Sequence, residues 1–258
     1  MIASVQKAMR ILSVLSDSRH KPVPLMEISR LTGYPKPTCS HILETLCNDG
    51  YAWRVSQTEG YSLGPSIYHL TRYGHYEEEV VMLCRPVLRW LERKSHATAV
   101  LAVMRGGKKF ILDYSDTEQG LFSERTSIKV GEIYRTATGR AILAHMDEDG
   151  VRKIYEKNGA PLPGHWDEVG SYHELLKELE KIRRESVVIA DTPNSQNQPP
   201  SVAYAVPFFK DGRCYGAIGI ARIHNDENDK NRDEAEKLLK GLLMKGAKEI
   251  ERRLRYEE

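Results

Sequence analysis

Tyr34-Pro35-Lys36-Pro37-Thr38-Cys39-Ser40-His41-Ile42-Leu43-Glu44-Thr45-Leu46 follows directly on Leu25-Met26-Glu27-Ile28-Ser29-Arg30-Leu31-Thr32-Gly33, and this pair of segments decides the fold. In the earlier segment Leu25, Ile28 and Leu31 recur at helical spacing, and Gly33 is a natural helix stop. Pro37 then opens a second helix in its first turn, where a missing N–H costs nothing. On that helix Cys39, Ile42, Leu43 and Leu46 face inward. Lys36, Thr38, Ser40, His41, Glu44 and Thr45 fall largely outside that stripe and form a polar face with little aliphatic bulk. Two short helices joined by a Gly-containing turn, the second with a polar outer face, read as a helix-turn-helix.

The flanking segments agree. Upstream, Ser4 can cap a helix carrying Val5, Ala8, Met9, Ile11, Leu12 and Leu15, which fades at Asp17-Ser18-Arg19-His20. Downstream, Asn48-Asp49-Gly50 ends the recognition helix. Tyr51–Val55 and Gly60–Leu63 then alternate around the polar turn 56–59, a β-hairpin that makes the motif winged. In this reading Lys36, Thr38 and Ser40 approach phosphates of double-stranded DNA, and Pro37 lies among these DNA-binding positions without a donor of its own. His41, Glu44 and Thr45 meet base edges, and Arg54 on the wing touches backbone or minor groove. The formal net charge of the 258 residues is only +2, but residues 1–65 hold seven Lys/Arg against five Asp/Glu, so the whole excess lies there.

The chain then changes character. Ser66 to about Glu79 reads as a helical connector that runs into a second helix through Leu83, Val87, Leu88, Trp90 and Leu91, with Pro86 as kink or restart. Thr98–Met104 and Lys109–Tyr114 form a hairpin across Gly106-Gly107. Helices follow at 136–145, 150–157 and 171–185, and strands at 187–190, 202–208 and 214–221. The last helix, about 230 to 256, turns Ala235, Leu238, Leu239, Leu242, Leu243 and Ile250 inward. Strands paired across tight turns and flanked by helices predict an α+β second domain with a largely antiparallel sheet. The expected division is 1–65 DNA-binding, 66–94 linker and 95–258 second domain. Apolar surface on the linker (Tyr68, Leu70, Val80, Val81, Leu83) predicts a dimer built partly from it.

Several motifs compete with this reading. Gly60-Tyr61-Ser62-Leu63-Gly64 matches the G-x-S-x-G of serine hydrolases, but it lacks the preceding central strand that such an elbow requires. His173-Glu174-Leu175-Leu176-Lys177 misses the second histidine of H-E-x-x-H, and His145–Asp149 reads as a solvated helix cap. The four cysteines form no C-x-x-C pair. No catalytic residue, metal ligand or cofactor is therefore expected. Asp113, Asp116, Asp191 and Arg140 are candidate polar pocket residues. The chain shows no apolar run long enough for a membrane span, no signal peptide and only free thiols, which together predict a cytoplasmic protein.

The chain resembles the IclR family of bacterial transcriptional regulators. Ser4–Leu12 is similar to its opening helix, Gly33–Leu46 to its recognition element, and Gly60–Pro65 to its wing-to-linker signature. Arg85-Pro86-Val87-Leu88 resembles its second linker helix, and Thr136–Ala144 its small-residue helix beside the ligand pocket. Ala205-Val206-Pro207-Phe208 and Gly216–Ile220 resemble its closing sheet. The resemblance implies a winged helix-turn-helix, a helical linker and a GAF-like effector-binding domain. It also implies a homodimer or dimer of dimers, a pseudo-palindromic operator and a small-molecule effector, with Thr136, Ala137, Thr138, Asp191 and Ala203 at the pocket of the effector-binding domain, 95–258. A helix N-terminus with small side chains suits a carboxylate, so the expected effector is an organic acid. The sequence departs from the family at Pro37 (usually Ser), His41 (usually Arg) and Arg140 (usually Lys). Residues 192–200 replace an acidic stretch. The alternatives are an enzyme or a protein-interaction adaptor carrying a winged helix.

Overall fold

The computed structural model describes residues 2–16, 21–56, 58–71, 78–116, 132–192, 200–223 and 232–255. These form two compact units, one holding the described residues up to 71 and the other those from 78 onward.

In the first unit α1 (Ala3–Ser16), α2 (Leu25–Thr32) and α3 (Lys36–Asn48) precede the hairpin β1 (Ala52–Ser56) and β2 (Gly60–Leu63), and α4 (Pro65–Thr71) ends it. Helix α1 starts at Ala3, so Ser4 lies inside its first turn rather than at its cap. Gly33 closes α2 at φ 74°, and Pro37 sits in the first turn of α3. Ile11, Leu15, Ile28, Cys39, Leu43, Leu46 and Ala52 build one buried core, with Ile42 partly buried against it. The Pro22-Val23-Pro24 link does more than connect. Val23 exchanges backbone hydrogen bonds with Tyr61 at 2.7 and 2.9 Å, which ties the wing to the helices. A Cβ at Gly60 would lie 2.2 Å from the Val23 carbonyl oxygen, so only glycine admits that approach.

The second unit is a five-stranded antiparallel sheet in the order β4-β3-β7-β6-β5. Its strands are β3 (Thr98–Arg105), β4 (Lys108–Ser115), β5 (Val188–Thr192), β6 (Ser201–Lys210) and β7 (Arg213–Ile223). Helices cover both faces. On one lie α5 (Glu78–Ser95) and α10 (Arg232–Arg255), packed over Leu101, Tyr204, Val206, Phe208, Ile218 and Ile220. On the other lie α6 (Glu132–Arg135), α7 (Ala137–Ala144), α8 (Glu148–Asn158) and α9 (Tyr172–Glu185), packed over Ala102, Val188, Ala190, Ala205 and Ala217. Both faces are therefore sealed by apolar side chains, the α+β arrangement that the strand and helix order predicts.

Several details differ from the sequence reading. Helix α5 runs unbroken through Pro86. The proline leaves the Met82 carbonyl without its N–H partner four residues on, and Met82 is exposed, so water can serve that oxygen. Val80 is buried in the core of the second unit, and Val81 and Leu83 pack against it. Of the five apolar residues assigned to a dimer surface, only Tyr68 and Leu70 remain exposed. Leu238, expected inward, is exposed as well. Asp147 and Ser171 cap α8 and α9 through their side chains. Glu174 reaches back to the Ser171 hydroxyl and the Gly170 N–H, a capping box where the near-match to H-E-x-x-H lies. The residues of the G-x-S-x-G match form β2 and the turn into α4.

Candidate nucleic-acid interface and effector site

The turn between α2 and α3 is pinned by short polar contacts. The Ser29 hydroxyl donates to the Tyr34 carbonyl at 2.6 Å, the Thr32 hydroxyl donates to the Ile28 carbonyl at 2.7 Å, and the Tyr34 N–H donates to Thr32 Oγ1 at 3.3 Å. With the turn held, α3 presents Lys36, Pro37, Ser40, His41, Glu44 and Thr45 to solvent, and Thr38 is half-buried. His41 Nδ1 lies 3.9 Å from Glu44 Oε2, both side chains largely exposed. Thr45 donates its hydroxyl back to the His41 carbonyl at 3.1 Å. Neither α2 nor α3 has a side-chain cap, and prolines stand at both N-cap positions. Their first-turn N–H groups have no acceptor inside the helix.

Arg54 is exposed, with its guanidinium 5.8 Å from the Tyr61 ring centre. It shares a strand face with the buried Ala52, whereas Trp53 (61% exposed) and Val55 project from the opposite face of the wing. The sequence reading missed Trp53. Its signal was available: a tryptophan at an outward position of a short alternating strand.

In the second unit Thr136 caps α7, accepting from the Gly139 N–H at 3.2 Å. Gly139 is obligatory here, because a Cβ would lie 2.2 Å from the Ile133 carbonyl oxygen. Thr138 is buried, and its methyl group packs against Gly219 of β7. Ala203 of β6 is half-buried on this same face, paired with Ala190 and Ala221. Ala137 is 1% exposed, so it fills the core rather than leaving space. Asp191 is not brought together with these residues. It pairs with Val202, which belongs to the α5–α10 core, so its exposed side chain stands on the opposite sheet face. Its neighbour Ala190 is the residue that β5 turns toward the α7 face, together with Val188. A residue the sequence did not suggest approaches instead. Lys109 Nζ donates to Thr136 Oγ1 at 2.9 Å, which brings an ammonium to the positive end of α7.

The other candidate pocket residues have structural duties. Arg140 is half-buried, donates to the carbonyls of Tyr134 and His165, and lies 4.4 Å over the Trp166 ring. Burial pulls its pKa down to about 10 against the opposing pull of Glu168, Glu178, Asp191 and Asp167. Asp113 pairs with Arg85 at 2.9 Å, and Asp116 accepts from the Thr98 hydroxyl at 2.5 Å. Among the described residues no group of His, Cys, Asp and Glu could hold a metal ion, and no helix is long and apolar enough to cross a membrane.

A winged helix-turn-helix unit and an antiparallel sheet flanked by helices, in one chain, define a DNA-binding protein with a separate sensor-type domain. The comparisons agree. Residues 4–56 match the family model described as IclR helix-turn-helix domain, and residues 76–252 match that described as bacterial transcriptional regulator IclR C-terminal. The HTH-type transcriptional regulator TtgV of Pseudomonas putida is 24% identical over 72% of this chain and 70% of its own length. The transcriptional repressor IclR of Escherichia coli is 23% identical over 71% and 67%. The crystal structure of an IclR homolog complexed with 4-hydroxybenzoate, from Microbacterium hydrocarbonoxydans, superposes with a TM-score of 0.64 at 17% identity. It covers 98% of this chain and 99% of that one. The chain belongs to the IclR family of transcriptional regulators, with an N-terminal helix-turn-helix DNA-binding domain and a C-terminal effector-binding domain.

Proposed function

We propose that residues 1–65 bind a pseudo-palindromic operator, that residues 66–94 carry the connection, and that residues 95–258 sense a small organic acid in the cytoplasm. The observation that carries this reading is the outer face of α3, with Lys36, Pro37, Ser40, His41, Glu44 and Thr45 exposed on a helix whose turn is locked from behind. Uncapped N–H groups at the starts of α2 and α3 suit phosphate oxygens. Lys36, Thr38 and Ser40 then position the protein on the backbone, and His41, Glu44 and Thr45 read base edges. Arg54 meets the flanking backbone. Two such helices require a dimer. Exposed Ile2 just before α1, Val5 and Met9 on α1, and Tyr68 and Leu70 on α4 supply apolar surface for one.

The effector is an organic acid held at the start of α7 by Thr136, Thr138 and the Ala203 face of the sheet, with Lys109 added to the set and Ala137 shaping the helix start. The positive helix end and the ammonium both favour a carboxylate. Asp191, on the other face of β5, is left out of this set. Effector binding shifts the balance of DNA-binding arrangements by its difference in affinity for them.

The test is operator binding against salt with DNA from upstream of the protein's own gene. Lys36→Ala is expected to lower the salt slope by about one unit and to weaken specific and nonspecific binding alike. His41→Arg is expected to re-rank operator variants by about 1–3 kcal/mol at one position per half-site. An unchanged slope together with an unchanged ranking would remove α3 from the interface.

A further inference from the structure

On the sheet face opposite α7, helices α5 and α10 leave a groove of about 350 Å³ between them, lined by Pro86, Val87, Trp90, Lys245, Gly246 and Arg253, with Glu249 at its rim. The two helices run antiparallel, since Arg253 reaches the Leu83 carbonyl while Gly246 lies beside Val87 and Leu91. A Cβ at Gly246 would come within 3.1–3.4 Å of Ile218, Val87 and Leu91. The glycine therefore lets α10 settle close to α5 and leaves the floor of the groove without a side chain. Pro86 and the half-buried Trp90 wall it with apolar surface.

The charges lining the groove are Lys245, Arg253 and Glu249. Lys245 stands four residues before Glu249, the spacing of an intrahelical ion pair. Glu249 is taken instead by Arg252 and Arg253, both at 2.8 Å, and hydrogen bonds from Arg252 and Arg253 hold its carboxyl down at about 2. Among the described residues Lys245 has no ion-pair or hydrogen-bond partner. Arg89, Arg93, Lys248 and Arg255 are exposed on the same two helices, as are the acidic Glu78, Glu79, Asp233 and Glu234.

We propose that this groove is a second small-molecule site, taking an amphipathic organic anion. Its hydrocarbon body lies over Pro86, Val87 and Trp90, and its acid group meets Lys245. The volume falls at the lower end of small-molecule pockets, and the composition is theirs: mostly apolar lining with few polar anchors. The site stands apart from the effector site proposed at α7 and lies on α5, the first element of the second unit after the connector.

The experiment is calorimetric titration of the full-length protein with decanoate, with decan-1-ol as the uncharged control. One decanoate per chain is expected, with decan-1-ol binding at least about tenfold more weakly. Lys245→Glu, at an exposed position, should weaken decanoate by at least about tenfold while leaving the melting temperature and operator binding unchanged. Lys245→Ala should fall between. Ala203→Leu, on the other sheet face, should leave decanoate binding intact. Equal affinity in Lys245→Glu and the parent would overturn the proposal, as would loss of decanoate binding in Ala203→Leu, which would place the anion at α7. No binding to the parent at millimolar decanoate would also overturn it. So would a drop in oligomer size in Lys245→Glu by light scattering, because the groove would then be covered by a second copy.

Discussion

Arg140→Ala is expected to destabilise the second unit by about 2–4 kcal/mol, and the structure shows how that figure arises. The guanidinium makes three contacts at once: two hydrogen bonds, to the Tyr134 and His165 carbonyls, and the Trp166 face at 4.4 Å. A hydrogen bond to a charged donor is worth about 1.5–3 kcal/mol, and a cation over an aromatic face about 0.5–2. The sum is reduced because Arg140 is only half-buried, so water can reach the carbonyls once the side chain is gone. Arg140→Lys keeps the charge but cannot serve two carbonyls and stack as a plane, so it should recover less than half of the loss. Burial lowers the folded pKa to about 10, below the unfolded value of 12.5. For a base shifted in that direction the unfolded chain binds more protons between those values, so stability rises with pH only above about 10. Between pH 6 and 9 the arginine is charged in both states, and the deficit of the variant should be flat. Urea unfolding followed by tryptophan fluorescence measures it, since Trp166 is buried under the guanidinium. A loss below about 0.5 kcal/mol, or equal stability of the Lys and Ala variants, would show that the clamp is not holding the loop.

Two further outcomes follow from burial. If the effector is an organic acid held at the start of α7 as proposed, Ala203→Leu should abolish the rise in melting temperature that it produces. Ala137→Leu, inside the packed core, should cost about 1–3 kcal/mol with or without ligand. A native melting temperature for Ala137→Leu would mean that the site is more open than its 1% exposure indicates. Burial also pushes the Cys84 and Cys214 thiols up to about 12, and Cys39 is fully buried. A thiol-reactive disulfide at pH 8 should therefore label at most Cys47 in the native protein and all four cysteines in denaturant, and rapid native labelling of two or more would contradict the packing.

The elements of both units were legible because their signals are local. Leu25, Ile28 and Leu31 before Gly33, and Cys39, Leu43 and Leu46 after Pro37, carry helix period, stop and start within one short stretch of chain. The hairpin across Gly106-Gly107 is equally local, both glycines taking positive φ. What was not legible depends on where an amphipathic element is spent. Val80, Val81 and Leu83 read as free apolar surface, yet α5 uses them against α10 and the sheet. Periodicity shows that a helix has an apolar face but not which partner covers it. The Val23–Tyr61 bridge was hidden for a similar reason, since a single residue between two prolines carries no strand pattern.

The effector site shows the same limit more sharply, because it depends on register. Asp191 and Ala190 are neighbours in sequence but stand on opposite faces of β5, and a shift of one residue exchanges them. The pairing of Ala190 with Ala203, and of Asp191 with Val202, decides the matter in favour of alanine on the α7 face. That face is then small and apolar along β6 and β7, with Ala203, Ala205, Ala217 and Gly219 opposite the helix. Such a surface offers no group that could bind a charge. The charge must be met from the helix end, by the first-turn N–H groups of α7 and by Lys109, whose ammonium touches the cap residue Thr136. Lys109 lies 27 residues before that cap and belongs to a strand at the sheet edge. No spacing rule links the two. Under the proposed reading, selectivity for an acid would follow from the antiparallel order β4-β3-β7, which brings an edge lysine to the start of α7. Lys109→Met, which keeps the length of the side chain and removes its charge, should accordingly weaken a carboxylate effector while sparing its uncharged amide.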